Sequence, residues 1–458
     1  MGYFVRDVDF LFIYESRARE LDSICLLGAW LEKRGYRVGY INTWDSMYHW
    51  HPEYRTKVAL LSACYGDGEI SWFTGHALGF EKVVNLQWEQ VIMNGVAHSR
   101  GKNDWTYSGA ALTTRHVCWG ENSRTYLRER FGIADDYTRV CGYLPLDFYR
   151  EELRGATPGR EELFARYGLD PGKRTLLFIS SFAEAGKPVS DAARLDEDEQ
   201  ESIDNVRLQE RSQAAILSWF RRLLREQGDL QAVYRPHPAE ANNPNVLRVQ
   251  RETPGFRVIP QESIRNWIMS CDILCNWQST SMIELYASGK PSLILRPEEI
   301  PWKRAMPIFE EGHFTAVKTF EELLAGVRAE NAPFPVEEER LLRFYSMERE
   351  PAYQRVGEYL IETLEDPSYS TPAIGGRPTP KGRILHRAQQ RANSAKAAAR
   401  YRLSKLKAPE NPPASTPKRQ QIEEDYIHYR YYLQRMQQNR ISPRALREKI
   451  DSYKKMIR

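Results

Sequence analysis

Residues 273–288 read ILCNWQSTSMIELYAS: an apolar run, a short polar stretch and a second apolar run with helical spacing. The pattern predicts a β-strand at Ile273–Cys275 and a helix at Ser281–Ser288. Three hydroxyl residues, Ser279, Thr280 and Ser281, lie between the two apolar runs. Their side chains and the free N–H groups of a helix start converge on one small volume, which suits the oxygens of a phosphate group.

A second polar stretch, Arg235-Pro236-His237-Pro238, follows the predicted strand Ala232–Tyr234. The two prolines fix the backbone on either side of His237 and hold its imidazole at the carboxyl end of the strand, while Arg235 adds a cation. Glu284, one turn into the downstream helix, is placed to accept hydrogen bonds from ribose hydroxyls. We therefore predict an anion site; an ordinary helix cap and a hydrogen-bonded loop histidine are the alternatives.

Ser180 and Ser181 follow a further predicted strand, Thr175–Ile179, and are expected at the same edge of the sheet. A loop of small residues there allows backbone amides to approach a phosphate. A plain turn is the alternative interpretation.

The whole chain of 458 residues alternates short apolar runs with amphipathic segments, a pattern that indicates parallel sheets with crossover helices. We predict an α/β fold of two consecutive domains. Their expected extents are 1–150 for the N-terminal domain, 151–173 for a linker rich in charge, proline and glycine, 174–366 for the C-terminal domain, and 367–458 for a basic helical tail.

The basic tail also differs from the rest of the chain in net charge. Residues 371–458 hold 21 basic and 6 acidic residues, net +15, whereas residues 1–370 hold 44 basic and 55 acidic residues, net −11. Alanine, leucine and isoleucine recur at helical spacing between basic residues over 381–407, which predicts a cationic amphipathic helix on an anionic membrane surface. A solvated helix or a segment that binds a protein partner is the alternative. No nucleic-acid partner is predicted, because the acidic body opposes one.

The six cysteines form no CxxC pair and no cluster with histidine, so we expect reduced thiols in the core and no metal site. The N-terminus reads as a first strand with interrupting acidic residues, not as a signal peptide. No apolar stretch approaches the length of a transmembrane helix. These features predict a cytoplasmic protein that can also bind peripherally at the inner face of the cell membrane.

The Arg235–Pro238 and Ser279–Glu284 segments resemble the HP and serine motifs of GT-B glycosyltransferases that build bacterial surface carbohydrates, including capsule and lipopolysaccharide. That group includes bacterial sialyltransferases and CDP-glycerol polymerases. The resemblance implies two Rossmann-like domains, of which the C-terminal one binds a nucleotide sugar without an obligatory metal or other cofactor. It also implies that His237 and the hydroxyls near Ser279 hold the donor phosphates, and that a glycan or glycolipid is the acceptor.

The same resemblance implies an N-terminal carboxylate that deprotonates the acceptor. Sialyltransferases of the group carry an acidic-acidic-Gly motif for this base, and the sequence departs from it. Asp67 and Glu89, each shortly after a predicted strand, are the candidates, and the choice stays open. A nucleotide-sugar 2-epimerase, a CDP-polyol phosphotransferase of the same fold and a non-catalytic membrane-associated scaffold are the alternatives to an inverting glycosyltransferase.

Overall fold

The computed structural model describes most of the two predicted domains and the end of the tail. The described residues are 5–46, 53–94, 106–186, 197–237, 240, 243–329, 332–371 and 433–457, with the single positions 392, 396 and 399. Nearly all of residues 381–407, for which the sequence predicts a membrane-binding helix, therefore lie outside the described residues.

A parallel sheet of six strands forms the N-terminal domain, in the order β2-β1-β3-β4-β5-β6. The strands are β1 (Val5–Tyr14), β2 (Val38–Asn42), β3 (Glu53–Leu61), β4 (Gly79–Asn85), β5 (Arg115–Cys118) and β6 (Thr138–Val140). The last seven residues of β1 are all buried. Continuous burial of this kind is typical of a parallel strand whose sheet is covered by helices on both faces.

A second parallel sheet of six strands forms the C-terminal domain, in the order β12-β11-β10-β7-β8-β9. The strands are β7 (Arg174–Ile179), β8 (Leu230–Arg235), β9 (Phe256–Val258), β10 (Ile273–Asn276), β11 (Ser292–Leu295) and β12 (Ala316–Val317). Two six-stranded parallel sheets with flanking helices confirm the predicted α/β fold of two Rossmann-like domains.

Helices connect the strands and cover both sheets. In chain order they are α1 (Arg17–Lys33), α2 (Thr43–Ser46), α3 (Asp67–Thr74), α4 (Glu121–Phe131), α5 (Arg160–Tyr167), α6 (Glu197–Glu226), α7 (Pro244–Glu252), α8 (Ile264–Ser270), α9 (Met282–Ser288), α10 (Phe320–Arg328), α11 (Glu338–Phe344), α12 (Ala352–Glu365) and α13 (Pro443–Met456). Their starts follow the usual capping chemistry. The Ser16 side chain accepts from the N–H of Arg19 at the start of α1, for example.

The last two helices return to the N-terminal domain. The start of α12 is capped by the buried Asp147, whose carboxylate accepts from the N–H groups of Ala352 at 2.9 Å and Tyr353 at 2.7 Å. The carboxyl end of α12 is capped by Lys82 of β4, which donates to the carbonyl oxygens of three residues there: Thr363, Leu364 and Asp366. Both ends of the helix are thus tied to the first half of the chain.

Helix α13 packs on α1. Its residues Ile450 and Tyr453 are buried in the same apolar cluster as Trp30 and Phe148. Ion pairs surround this contact, including one from Lys454 to Glu32 of α1 at 2.6 Å. The final part of the basic tail therefore contributes to the core of the N-terminal domain.

The predicted state of the cysteines is confirmed: all six are free and buried. Burial raises the pKa of these thiols, as for Cys275 within β10. No helix in the described part of the chain is long and apolar enough to cross a membrane.

Candidate functional site

Three polar loops lie side by side at one edge of the C-terminal sheet. β7 pairs with β8 on one side and with β10 on the other, and the carboxyl ends of neighbouring parallel strands share an edge. This edge carries most of the site residues that the sequence predicts: Ser180 and Ser181 after β7, Arg235 and His237 at the end of β8, and Ser279, Thr280 and Ser281 after β10.

Hydrogen bonds join two of these loops. The Ser181 hydroxyl accepts from the N–H of Gln278 at 3.2 Å, which links the end of β7 to the loop after β10. Within that loop the Ser279 hydroxyl accepts from the N–H of Ser281 at 3.2 Å. Ser279 and Ser281 remain half-buried, so the loop presents its polar groups at the surface of the edge.

The third loop, which carries His237, is held in place by the buried carboxylate of Glu240. Glu240 is 4% exposed and accepts hydrogen bonds from the hydroxyls of Ser180 and Tyr234. The Gln213 amide donates to it at 2.6 Å and the backbone N–H of His237 at 3.1 Å. Ser180 thereby supports the loop, and Glu240 sets the position of His237. Sequence analysis missed Glu240; its signal is a carboxylate three residues after the histidine of the Pro-flanked loop.

The two predicted groups at the end of β8 differ in their surroundings. The Arg235 guanidinium donates to the carbonyl oxygens of Ile259 at 3.3 Å and Glu262 at 2.7 Å. Burial lowers the pKa of Arg235 to about 10. These two bonds brace the loop after β9 against β8, while His237 is half-buried at the edge itself.

Glu284 lies in α9 and contacts the last residues of the N-terminal domain. Its side chain is buried, and its carboxylate accepts from the Tyr149 hydroxyl at 3.3 Å. Burial raises the pKa of Glu284 to about 7, although the Arg265 guanidinium nearby opposes the rise. The predicted interaction with a ribose therefore shares this carboxylate with a tyrosine of the N-terminal domain.

The two base candidates lie at the carboxyl ends of neighbouring strands in the N-terminal sheet. Asp67 is the first residue of α3, is exposed, and accepts from the N–H of Ala110 at 2.8 Å. Glu89 follows β4, is also exposed, and forms an ion pair with Arg19 of α1. Both carboxylates are accessible to an acceptor, and the Arg19 pair fixes the orientation of Glu89.

A second buried carboxylate, Glu20, organises this edge of the N-terminal sheet. It accepts from the Ser62 hydroxyl and from the N–H groups of Glu15 at 3.2 Å and Ser16 at 3.1 Å. Arg19 bonds it at 3.2 Å as well. Glu20 thus holds the ends of β1 and β3 together, and Arg19 links it to Glu89. Sequence analysis did not identify Glu20 as a site residue.

The carboxyl edges of the two sheets face each other. Asn94, in the loop after β4, donates to the carbonyl oxygens of Ala305 at 3.0 Å and Trp302 at 3.2 Å in the loop after β11. On the linker side, Asp22 of α1 pairs with Arg265 of α8 at 2.9 Å. The candidate phosphate-binding loops and the candidate bases therefore border one interdomain cleft.

No group of three or more histidine, cysteine, aspartate or glutamate side chains is placed to hold a metal ion within the described ranges.

Comparisons with known proteins support the fold but find no close relative. No protein-family model matches the sequence, and no curated protein matches it. Among solved structures, a variant of the wall teichoic acid polymerase TagF superposes with a TM-score of 0.50 at 11% identity, covering 78% of this chain and 89% of the polymerase. The UDP-GlcNAc 2-epimerase from Methanocaldococcus jannaschii gives 0.47 at 12% identity, with 77% and 99% covered.

A UDP co-structure of MnaA from S. aureus gives a TM-score of 0.45 at 13% identity, covering 79% of this chain and 99% of that protein. At these identities the likeness concerns the fold alone. The chain therefore has the two-domain architecture of GT-B enzymes.

Proposed function

We propose that the chain is a glycosyltransferase that moves a sugar from a nucleotide-activated donor to a surface polysaccharide or glycolipid precursor. The observation that carries this proposal is the meeting of two edges at one cleft. Three loops with hydroxyl or histidine side chains lie at the edge of the C-terminal sheet. Two exposed carboxylates lie at the edge of the N-terminal sheet, and the two edges are in contact through Asn94. Such a cleft suits an anionic leaving group on one side and proton removal on the other.

On the donor side, the leaving nucleotide develops negative charge as its bond to the sugar breaks. In this proposal His237 and the hydroxyl groups of Ser279, Thr280 and Ser281 stabilise that charge without a metal ion. Ser181 and Glu240 act through these groups, because they fix the loops that carry them. Glu284 accepts hydrogen bonds from the ribose in this scheme.

On the acceptor side, Asp67 or Glu89 takes the proton from an acceptor hydroxyl. The hydroxyl oxygen bonds to the anomeric carbon as the bond from that carbon to the phosphate oxygen breaks on the opposite face, so the configuration inverts. Glu89 is oriented by Arg19, whereas Asp67 is held through Ala110. Substituting each carboxylate separately by its amide distinguishes them, since only loss of the base abolishes turnover at saturating donor.

The test is turnover of nucleotide sugars with and without an acceptor, for the wild-type protein and for His237→Ala. We expect transfer that depends on acceptor, persists in a metal chelator and is lost in His237→Ala. Unchanged turnover in His237→Ala contradicts the assignment of the donor site. Isomerisation of the free nucleotide sugar in the absence of acceptor identifies an epimerase instead, and release of a nucleoside monophosphate from a CDP-polyol identifies a phosphotransferase.

A further inference from the structure

Strand β11 has a cation near each of its ends, a half-buried lysine before it and a buried arginine after it. Lys290 precedes the strand, at the edge away from the cleft, and Arg296 follows it, at the edge that borders the cleft. The Lys290 ammonium donates to three carbonyl oxygens at the end of α8: Ile268 at 3.0 Å, Met269 at 2.6 Å and Cys271 at 2.6 Å. Lys290 is therefore a fully bonded helix cap.

Arg296 has no such partners. It is 7% exposed, and within the part of the chain that the structure describes neither its Nε nor its Nη2 meets a hydrogen-bond acceptor. Its guanidinium carbon lies among three aromatic rings, at distances from their centres of 5.9 Å for Trp277, 5.2 Å for Phe309 and 5.4 Å for Phe314. No carboxylate among the described residues pairs with it.

An enclosed cation without an acceptor is unfavourable in the free protein. Burial lowers the pKa of Arg296 to about 9, which leaves the side chain charged at neutral pH. Aromatic faces attract a cation only weakly compared with the solvation that burial removes. The surroundings of Arg296 are thus incomplete without an anion.

A second donor lies beside it. The indole N–H of Trp277 is also enclosed and meets no acceptor in the described ranges, and Trp277 is 3% exposed. Trp277 belongs to the loop after β10, directly before Gln278 and Ser279. β10 pairs with β11 with Asn276 opposite Ile294, so Arg296 stands level with this loop at the same edge.

We propose that Arg296 and the indole N–H of Trp277 bind a phosphate oxygen of the nucleotide donor. The assignment rests on the proposed function, because it takes the nucleotide to lie at this edge. Arg296 carries a recognition role that sequence analysis gave to Arg235. Arg235 is the last residue of β8, and Arg296 directly follows β11. The two differ only in the structure, where the Arg235 guanidinium is bonded to two carbonyl oxygens.

The unpaired charge of Arg296 predicts an effect on stability that an ordinary buried arginine does not have. Removing an ordinary buried arginine destabilises a protein, whereas removing an unpaired one relieves the free protein and harms only the complex. The experiment measures melting temperatures of the wild-type protein, Arg296→Met, Arg296→Lys and the matched control Lys290→Met. Each is measured alone and with UDP, CDP, GDP or CMP.

We expect Arg296→Met to melt at or above the wild-type temperature when free and to bind the stabilising nucleotide at least about tenfold more weakly. Arg296→Lys keeps part of the nucleotide-induced shift. Lys290→Met melts lower when free, because three carbonyl oxygens lose their donor, and retains the full shift. A lower melting temperature for free Arg296→Met, or an undiminished nucleotide shift in it, overturns the proposal.

A wild-type protein that none of the four nucleotides stabilises contradicts the proposed function instead. Inorganic pyrophosphate then tests the anion site alone. Stabilisation of the wild-type protein but not of Arg296→Met supports the site, and an equal response of the two overturns it.

Discussion

At the scale of single residues, two buried carboxylates hold the loops at the edges of the cleft. Glu240 accepts hydrogen bonds from four donors and so connects β7, α6 and the histidine loop. Glu20 plays the same part in the N-terminal sheet. In each domain a buried carboxylate therefore holds a loop at the end of a strand in place.

Glu240→Gln replaces a group that only accepts hydrogen bonds by one that also donates. At least one of the four donors then loses its acceptor, so we expect the free energy of unfolding to fall by about 1–3 kcal/mol. Urea denaturation measures the change. Glu129→Gln, at an exposed position of α4, is the control and should stay within about 0.5 kcal/mol of the wild type. Equal stability of the two variants contradicts the supporting role of Glu240.

The carboxyl group of Glu284 predicts a dependence of stability on pH. Its pKa is about 7 in the folded protein and 4.5 in an ordinary environment. Because the folded pKa is the higher one, the contribution to stability is complete below pH 4.5 and is lost as the pH rises through 7. The loss amounts to about 3 kcal/mol.

Glu284→Gln stays neutral at every pH and can still accept from the Tyr149 hydroxyl. Urea denaturation at pH 5 and pH 8 should therefore show the variant gaining about 2.5 kcal/mol of stability relative to the wild type between the two conditions. A difference between variant and wild type that does not change with pH shows that Glu284 titrates normally.

At the scale of secondary structure elements, helix α13 is the least expected part of the fold. Its sequence is basic, and only the structure shows that Tyr453 enters the N-terminal core beside Phe148, at 5.6 Å between ring centres. Lys449 of the same helix pairs with Asp22, which also pairs with Arg265 of the other domain. The helix therefore sits where the two domains and the linker meet.

Tyr453→Ala should lower the free energy of unfolding by about 3–5 kcal/mol, since it removes a buried aromatic ring. Arg444→Ala on the same helix, where the side chain is 90% exposed, is the matched control and should change stability by less than about 0.5 kcal/mol. Chemical denaturation of both variants tests whether α13 belongs to the core. A Tyr453→Ala variant as stable as the control shows that it does not.

Strands were easier to predict than their ends. The sequence predicts a strand at Ala232–Tyr234, whereas β8 spans Leu230–Arg235 and includes the polar residues Gln231 and Arg235. Apolar patterning indicates burial, and this strand continues past its apolar residues into the candidate site. The position of the three polar loops at one edge followed from the parallel order alone. The partners of Arg235 and Arg296 did not, because side-chain contacts depend on segments distant in sequence.

At the scale of the whole molecule, the acidic body and the basic tail are not two independent parts. Residues 433–457 pack on the N-terminal domain, so a membrane role is best tested without deleting the tail. Replacing every lysine and arginine of 381–407 by glutamine should abolish binding to phosphatidylserine vesicles, as each basic residue near such a surface contributes about 1 kcal/mol. Co-sedimentation measures this, with neutral vesicles as the control. Equal binding of both proteins to anionic vesicles contradicts a membrane role for the segment.

The central claim is that the cleft binds a nucleotide-activated sugar. The most direct measurement is the melting temperature of the wild-type protein in the presence of CMP-, UDP-, GDP- and CDP-linked sugars. A ligand at one hundred times its dissociation constant adds about 2.7 kcal/mol to the stability of the folded state. We predict a clear rise in melting temperature for one nucleotide class and a smaller one in His237→Ala. No rise with any of the four contradicts the account.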